Sequence, residues 1–419
     1  MLDMKFVREH PDVVRENLKK RKSELLGRVD DLLEKDDAWR KLKGQSDALR
    51  AERNKVSKEI NETKKAGGDA SKLLERAKTI PQQLKSLEED MDAQYAEIKR
   101  ILMRLPNIMH DSVPYGEDEE GNQELAQFGK KPEFAFEPKN HNDLIEGMVN
   151  LERAAKIAGS RFYFLQGDLA LLEHALQQYA IDFMNKKGYT FVQPPYMMNR
   201  NAYEGVTDLA DFEDVIYKVE DEDLHLIATS EHPLTAQFQN EVVKLPIKLA
   251  GMSPCFRKET GSHGKEEKGI WRVHQFHKVE QIVICKPEES WEYHEEITKN
   301  AIEFFESLGL HFRQVLICTG DLGTVAAKKY DLEAWIPSVQ KYKEVVSSSN
   351  CTSYQAVRLN IRYNEQGTTA FAHTLNSTCV ATSRALVAIL EQYQNEDGSI
   401  NVPKVLQPFL NKAKIGPHL

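Results

Sequence analysis

Charged and aromatic side chains alternate along residues 253–285, SPCFRKETGSHGKEEKGIWRVHQFHKVEQIVIC. If this segment forms two strands joined by a loop, strand parity gives each strand one face that carries chemistry. The residues on those faces are Arg257 and Glu259 on the first strand and Arg272, Phe276 and Glu280 on the second. Arginines fork onto phosphate or carboxylate, an aromatic ring stacks on a base, and glutamates accept from N–H donors. The pattern predicts one wall of a binding site for a nucleoside triphosphate and an ammonium-bearing substrate. A solvent-exposed ladder of charges would show part of the same pattern.

Two shorter segments add hydroxyl and carboxylate groups. Thr229, Ser230 and Glu231 follow an apolar, strand-like run. Small hydroxyls beside a carboxylate suit an ammonium group, and the same residues also suit a helix N-cap before PLTAQFQ. Glu344 and Ser347 lie three positions apart in KEVVSSSNC and could share a divalent cation, for which oxygen ligands favour Mg²⁺.

The segment TLNSTCVATSRALVAILEQYQ is apolar enough to form a buried helix. Asn376, Ser377 and Thr378 offer caps for that helix, and its amino end would favour anions. Arg384 lies within the first two predicted turns, and a buried helix with one arginine is typical of a binding site. His274 and His277 should point to opposite faces of a strand because their spacing is odd. We therefore expect neither histidine to bind a metal, and we expect no zinc.

The composition indicates a chain with a substantial core and no membrane segment. The length of 419 residues favours several domains, and a hydrophobic content of 41% supports a substantial core. The formal net charge of −9 argues against nonspecific coating of nucleic acid. No apolar run approaches the roughly 20 residues of a membrane helix, and the N-terminal segment lacks the apolar region of a signal peptide. Five scattered cysteines without a CxxC pair indicate a reducing, cytoplasmic setting.

Residues 29–105 predict a long helical hairpin. Apolar residues recur at spacings of three and four before Gly67-Gly68 and, nearly regularly, after it. They are Trp39, Leu42, Leu49, Val56 and Ile60, followed by Leu73, Ala77, Ile80, Leu84, Leu87, Met91, Ile98 and Leu102 or Ile101. Two such helices form an antiparallel coiled coil with a narrow seam, which should project as an arm. At Pro81 either Thr79 caps a restarted helix or the helix kinks.

Charge along this hairpin is uneven. Basic residues outnumber acidic ones toward the glycine pair, whereas acidic residues dominate toward the opposite end. A solvated coiled-coil face would account for many of these charges. A basic end on an acidic protein is also what an arm that grips nucleic acid would present.

The remaining chain predicts an α+β fold with an antiparallel sheet. Residues 107–140, rich in proline and glycine, indicate a linker between an N-terminal domain at 1–106 and a catalytic domain at 141–419. Residues 144–158 and 169–187 have helical spacing. Strand character is found in TFVQPPYM, LHLIATS, EQIVIC, RQVLIC and SYQAVRLNIRY. The glycine fingerprints of Rossmann and P-loop sites are absent from the sequence.

With these motifs together, the chain resembles the seryl-tRNA synthetase family of class II aminoacyl-tRNA synthetases over essentially its full length. The resemblance rests on SPCFRKETGS and GIWRVHQFHKVE (motif 2), on TSE, on GDLGTVAAKKYDLEAWIPS, on KEVVSSSNCTSYQAVRLNIRY and on HTLNSTCVATSRALVAILEQYQ (motif 3). The hairpin matches the family's arm for the long variable region of serine tRNA. The HTLNS and TSEHPL forms resemble archaeal or eukaryotic members.

The resemblance implies a role for each matching residue. The serine pocket would contain Thr229, Ser230, Glu231, Arg257, Glu280 and Thr378. ATP would contact Arg257, Lys258, Glu259, Arg272, Val273, Phe276, Glu344, Val345, Val346, Ser347 and Arg384, with Mg²⁺ on Glu344 and Ser347. Arg257 and Arg384 would be the catalytic residues, by neutralising charge. The sequence departs from the family's frequent Asn-Gly-Ser at Asn376-Ser377-Thr378, which keeps a hydroxyl at Thr378, and in the motif 2 loop SHGKEEKG.

The implied reaction has two steps, in which serine and ATP give seryl-adenylate and pyrophosphate, and serine tRNA then takes the seryl group. Selenocysteine tRNA would be a second acceptor, and Pro194-Pro195 resembles motif 1, which implies a homodimer. The glycines and lysines of the motif 2 loop would form a flap over ATP and the tRNA acceptor end. Two rival hypotheses are a paralogue that loads a carrier protein and a noncatalytic tRNA-binding protein. The intact arm argues against the first, and the intact catalytic motifs argue against the second.

Overall fold

The computed structural model describes residues 1–209, 213–259 and 269–416. The chain divides into two compact units, one comprising Leu2–Pro106 and the other comprising Met1 with Asn107–Leu419. The glycines and lysines of the motif 2 loop at positions 261, 264, 265 and 268 lie outside the described residues.

The unit Leu2–Pro106 is helical. Its helices are α1 (Met4–Glu9), α2 (Pro11–Lys20), α3 (Arg28–Lys65) and α4 (Ser71–Arg104), with a 3₁₀ turn at Glu24–Gly27. The predicted hairpin is confirmed: α3 and α4 pack along their length and are joined by a turn in which Gly67 has φ +72°. Its seam contains the buried Val56, Ile80 and Leu84.

Two features of the hairpin refine the sequence analysis. Helix α4 runs through Pro81 without interruption, so the first of the two alternatives, a restarted helix capped by Thr79, is wrong. The hydroxyl of Thr79 instead donates to the carbonyl of Arg76. Arg76 also pairs with Glu52 on α3 at 2.6 Å. Part of the basic excess near the turn is thus paired across the hairpin, at exposed positions where an ion pair contributes little stability.

The second unit is rich in strands, and eight of them form its main sheet. Its 17 strands among the described residues are β1 (Gln123–Phe128), β2 (Val149–Asn150), β3 (Phe164–Leu165), β4 (Thr190–Val192), β5 (Met197–Met198), β6 (His225–Leu226), β7 (Val242–Val243), β8 (Ile247–Phe256), β9 (Gln275–Cys285), β10 (Phe312–Leu316), β11 (Lys328–Ile336), β12 (Lys341–Asn350), β13 (Arg362–Glu365), β14 (Thr368–Phe371), β15 (His373–Ala381), β16 (Ile400–Asn401) and β17 (Lys414–Ile415). The main sheet has the order β1-β10-β11-β12-β15-β9-β8-β4. Its pairs are antiparallel apart from the parallel pair of β4 and β8. The predicted α+β class with an antiparallel sheet is confirmed.

The helices of this unit cover the sheet. The described helices are α5 (His141–Leu144), α6 (Leu151–Ala158), α7 (Gly167–Lys186), α8 (Arg200–Val206), α9 (Glu231–Ala236), α10 (Ser290–Ser307), α11 (Tyr354–Leu359), α12 (Thr382–Gln392) and α13 (Gln407–Leu410). Strand parity on β9 separates two cores, because Val279 and Val283 pack with α7, α10 and α12 whereas Ile282 and Ile284 pack with α8, α9 and α11. The second of these faces of β9 also carries Glu280. None of the described helices combines the length and the hydropathy needed to cross a membrane.

Several local predictions differ from the structure. SYQAVRLNIRY was expected to be a strand, but its first part is α11, which ends at Asn360 with φ 54°, and only Arg362–Glu365 is a strand. Residues 144–158 form no continuous helix, because the chain turns at Gly147 with φ +77° before α6. Residues 107–140 contribute β1 to the sheet edge. TFVQPPYM provides β4 and β5 only on either side of its proline pair, since proline cannot donate to a ladder.

The predicted caps at Asn376, Ser377 and Thr378 are also wrong. These residues lie inside β15, and the helix begins only at Thr382. Strand β15 pairs with β12 on one side and with β9 on the other. Ladder hydrogen bonds on both edges therefore decide the conformation, and they outweigh the local preference of asparagine and serine for capping.

Candidate active site

A cavity of about 520 Å³ opens over the face of the sheet that carries Glu280. It brings together most of the residues that the sequence singles out. Those that line it are Thr229, Glu231, Arg257, Glu259, Arg272, Val273, Phe276, Glu280, Glu344, Val345, Ser347, Thr378 and Arg384. They come from three strands, two helices, the segments that follow β8 and precede β9, and the residue Thr229 just before α9, so the sheet assembles positions that are far apart in sequence.

Three predicted site residues are placed elsewhere. Ser230 is fully buried, and its hydroxyl donates to the carbonyl of Gly251 at 3.0 Å. Lys258 has its ammonium group 5.8 Å from the ring centre of Tyr217, outside the cavity lining. Val346 is buried in the core beneath the sheet.

Strand alternation builds only part of the wall formed by the motif 2 residues. Strand β8 ends at Phe256 and β9 begins at Gln275, so parity applies to Phe276 and Glu280 but not to the flanking arginines. Glu259 has φ 49°, a left-handed conformation that turns its carboxylate to within 3.4 Å of Arg272. The backbone N–H of Arg257 donates to the carbonyl of His274, and its guanidinium lies 5.4 Å from the ring centre of Phe276. An irregular chain reversal, rather than a regular ladder, thus clusters the cationic and aromatic groups.

One end of the cavity is acidic. Asn376 donates from Nδ2 to Glu231 Oε2 at 3.1 Å and to Glu280 Oε1 at 3.4 Å, and the hydroxyl of Thr378 donates to Glu280 Oε2 at 3.2 Å. Lys278 pairs with Glu280 at 2.7 Å, with both side chains buried. Burial, together with the charge of Glu280, raises the pKa of Glu231 to about 7. Two carboxylates balanced by one lysine leave a net negative charge that suits one ammonium group.

Three contributors at this end were not predicted from the sequence. Lys278 has the same strand parity as Phe276 and Glu280, so the alternation of β9 could have found it. Asn376 was assigned to a helix cap, and only the strand pairing of β15 reveals that it faces the cavity. Gln355, which donates to Glu231 at 2.9 Å, had no signal because its segment was taken for a strand.

The other end combines Glu344, Ser347 and Arg384. Residues three apart on a regular strand face opposite sides, but β12 has a bulge: Glu344 pairs with Glu333 and Val346 with Leu332, which leaves Val345 as the extra residue. The bulge returns Ser347 to the face of Glu344. Partial desolvation opposes ionisation of the half-exposed Glu344 carboxyl, yet Arg384 at 3.1 Å and Lys329 hold its pKa below the usual value.

These residues fit a hard divalent cation. A carboxylate and a hydroxyl on one face are oxygen ligands of the kind that Mg²⁺ takes in small number, with phosphate oxygens and water completing its shell. Asp331 pairs with Ser347 across the ladder, and its buried Oδ1 accepts no hydrogen bond from the described part of the chain. In the ranges that the structure describes, no group of three or more His, Cys, Asp or Glu side chains could hold a metal ion by itself. Phosphate oxygens and water would have to complete the shell.

The cavity is therefore chemically divided. The acidic end can hold an ammonium and a hydroxyl group, whereas Arg257, Arg272 and Arg384 can neutralise a carboxylate and phosphates. Phe276 and Trp271 supply aromatic surface, and the guanidinium of Arg384 lies 5.7 Å from the Trp271 ring centre. Such a site can bind an amino acid and a nucleotide side by side.

Two family models match the chain. Residues 217–393 match the tRNA synthetase class II core domain (G, H, P, S and T), and residues 1–109 match the seryl-tRNA synthetase N-terminal domain. Among curated proteins, a serine–tRNA ligase of Methanocella arvoryzae is 54% identical over 420 residues, which cover 98% of this chain and 99% of that protein. A serine–tRNA ligase of Pyrococcus horikoshii is 48% identical and covers 100% of this chain.

Solved structures give the same result. The crystal structure of seryl-tRNA synthetase from Pyrococcus horikoshii complexed with ATP matches with a TM-score of 0.93 and 47% identity, covering 100% of both chains. The cytoplasmic serine–tRNA ligase from Naegleria fowleri in complex with AMP matches with a TM-score of 0.86 and 36% identity, covering 98% of both chains.

Proposed function

Because the chain belongs to the seryl-tRNA synthetase family, as a class II aminoacyl-tRNA synthetase, we propose that it attaches L-serine to serine tRNA with consumption of ATP. The observation that carries this proposal is the acidic end of the cavity, where Glu231, Glu280 and Thr378 meet beside a cluster of arginines. The likeness to relatives that bind ATP and AMP supports a nucleotide at the cationic end.

Serine would bind at the acidic end. Its ammonium group would lie between the carboxylates of Glu231 and Glu280, and its hydroxyl would pair with the Glu280–Thr378 hydrogen-bonded unit. The buried Thr229 would also line the pocket. Its carboxylate would face Arg257. A pocket built to hydrogen-bond a hydroxyl leaves buried polar groups unpaired when alanine binds, which disfavours alanine by roughly 10⁴-fold in favourable cases. Threonine would be excluded by shape.

ATP would bind at the cationic end. The adenine would stack on Phe276 with Glu259 accepting from its amino group, and Arg257, Arg272 and Arg384 would bind phosphates. ATP would also contact the backbone groups or the neighbouring segments of four further residues, which are Lys258, Val273, Val345 and Val346. Glu344 and Ser347 would hold Mg²⁺, which, when bound, would neutralise phosphate charge.

The reaction would proceed without a covalent enzyme intermediate. A serine carboxylate oxygen attacks the α-phosphorus of ATP, the bond to the bridging oxygen breaks, and pyrophosphate leaves. A terminal ribose hydroxyl of the tRNA then attacks the seryl carbonyl, loses its proton, and AMP leaves. Positioning of the two reactants and neutralisation of charge by Arg257 and Arg384 would supply the rate enhancement.

The proposal extends to partners. The helical hairpin of α3 and α4 would bind the long variable arm of serine tRNA, within an N-terminal domain at 1–106, and the domain at 141–419 would catalyse the reaction. We also propose a homodimer, a cytoplasmic location and, where selenocysteine tRNA exists, its serylation.

Pyrophosphate exchange tests the proposal. The purified protein is incubated with ATP, labelled pyrophosphate and each amino acid in turn, and then with tRNA to measure charging. Serine-dependent exchange followed by serylation of serine tRNA is the expected result. Exchange without charging of any tRNA would favour a carrier-protein ligase, and the absence of exchange with every amino acid would overturn the proposal.

A further inference from the structure

A buried glutamine reaches the acidic end of the cavity from behind. Gln355 lies on α11 and is only 2% exposed. Its Nε2 donates to Glu231 Oε1 at 2.9 Å and to the carbonyl of Val206 at 3.0 Å, and its Oε1 accepts from the hydroxyl of Thr374 at 2.6 Å. Both amide hydrogens and the carbonyl oxygen are thus engaged.

These partners fix the orientation of the amide. A carboxylate and a backbone carbonyl accept hydrogen bonds and cannot donate them. Rotating the amide by half a turn would place its oxygen against both of these acceptors and remove the hydrogen bond that each receives from Gln355, which is unfavourable for buried groups. Thr374 on β15 holds the oxygen on the opposite side.

The two oxygens of Glu231 are held by different amides. Oε1 accepts from Gln355, and Oε2 accepts from Asn376. Asn376 lines the cavity and also reaches Glu280, whereas Gln355 is not among the residues that line it. Gln355 therefore acts on a bound ligand indirectly, through Glu231 and through Val206, whose carbonyl it also holds and which lines the cavity.

We propose that Gln355, oriented by Thr374, is a positioning residue that holds the Glu231 carboxylate in the orientation and the ionised form required to bind the amino acid. The inference rests on the proposed role of Glu231 in binding serine. It assigns to α11 a specific part in selecting the substrate, beyond packing against the sheet.

The charges around Glu231 explain why a donor is needed there. Glu280 on β9 disfavours the ionised form, whereas Lys278 on β9 and Arg257 after β8 favour it. Among the described residues, Tyr203, Cys351 and the adjacent His232 also lie near it, and burial lowers the pKa of His232 to about 3, so this histidine is neutral. The pKa of Glu231 is already about 7, and loss of the Gln355 hydrogen bond would raise it further.

The test replaces Gln355 with methionine, which has a similar length and no amide. Serine-dependent pyrophosphate exchange is measured against serine and ATP concentration across pH 6 to 9. Loss of one hydrogen bond to a charged group should raise the KM for serine by about 10-fold or more, while the KM for ATP changes by less than about 2-fold. The acid limb of kcat/KM for serine should move to higher pH.

Two further variants make the result decisive. Thr374→Val removes the group that orients the amide, and we expect a smaller rise in the KM for serine with the same direction of pH shift. Gln237→Met is the matched control, because Gln237 is exposed just after α9 and its side-chain amide donates to the backbone carbonyl of Leu234. If Gln355→Met does not fold, Thr374→Val decides.

The outcomes separate the two levels of the proposal. If the wild-type protein shows no serine-dependent exchange, the proposed function fails. If the wild type is active and the variants keep its KM for serine and its acid limb, the role of Gln355 is overturned. Equal rises in the KM for serine and for ATP would also overturn it, since they would indicate general damage.

Discussion

Arg384 contacts Glu344 twice, with Nη1 donating to the backbone carbonyl at 3.1 Å and lying 3.1 Å from the carboxylate Oε2. The arginine comes from the first turn of α12, and the glutamate comes from the bulged strand β12. The contact fixes the arginine beside the predicted Mg²⁺ ligand. The two residues should therefore act together on ATP.

Replacement of Arg384 by lysine tests this coupling. Lysine keeps the charge but cannot donate in a fork, so the contact with both Glu344 groups and the phosphates is lost. We expect the KM for ATP to rise by about 10-fold or more and the Mg²⁺ concentration for half-maximal exchange to rise with it. Arg362→Lys, on β13 and outside the cavity lining, should change neither quantity. An unchanged Mg²⁺ requirement in Arg384→Lys would contradict the coupling.

Arg257 should be required for the first reaction step. Its Nε donates to the carbonyl of Ala228 at 3.3 Å, which aims the guanidinium at the boundary between the acidic and cationic ends. Arg257→Ala should reduce serine-dependent exchange by about 100-fold or more, because charge on the attacking carboxylate and the α-phosphate is no longer neutralised. Circular dichroism should match the wild type. Exchange at nearly the wild-type rate would remove Arg257 from the mechanism.

The buried carboxyl group of Glu231 should lower the free energy of unfolding as the pH rises. Its folded pKa of about 7 lies above the unfolded value near 4.5, so its contribution to stability is fully present below pH 4.5 and is lost as the pH rises through 7. Glu231→Gln removes this loss and should raise the free energy of unfolding at pH 8 by on the order of 3 kcal/mol, with little change at pH 4.5.

Thermal denaturation of the wild type and Glu231→Gln at pH 5 and pH 8 measures this effect. The difference in Tm should grow with pH, while serine-dependent exchange is lost in the variant. A Tm difference that is equal at both pH values would show that folding does not raise the pKa of Glu231.

The hairpin should serve tRNA and not adenylate formation. Deletion of residues 47–82, with Ser46 and Gln83 joined by a short Gly-Ser turn, removes the glycine turn and the Arg76–Glu52 pair. Pyrophosphate exchange should stay within about 2-fold of the wild type, since the cavity belongs to the other compact unit. Charging of serine tRNA should fall by most of its value. Unimpaired charging would reduce the hairpin to a structural element.

The sequence predicted features that depend on local regularity. Heptad-like spacing on both sides of Gly67-Gly68 was enough to predict α3 and α4, because a coiled-coil seam repeats along the chain. On β9, parity placed Phe276 and Glu280 on one face, since a strand alternates without reference to its neighbours. The family motifs identified the class of enzyme.

Only the tertiary structure decided how those residues meet. Glu344 and Ser347 share a face because of the bulge at Val345, which depends on the register of β11. Asn376 and Thr378 face the cavity because β15 pairs on both edges, and the helix α11 brings Gln355 to Glu231. Local sequence fixes periodicity, whereas register, bulges and buried hydrogen bonds arise from contacts between segments far apart in the chain. The chemistry of the site was thus encoded in residue types, and its geometry was set by the sheet.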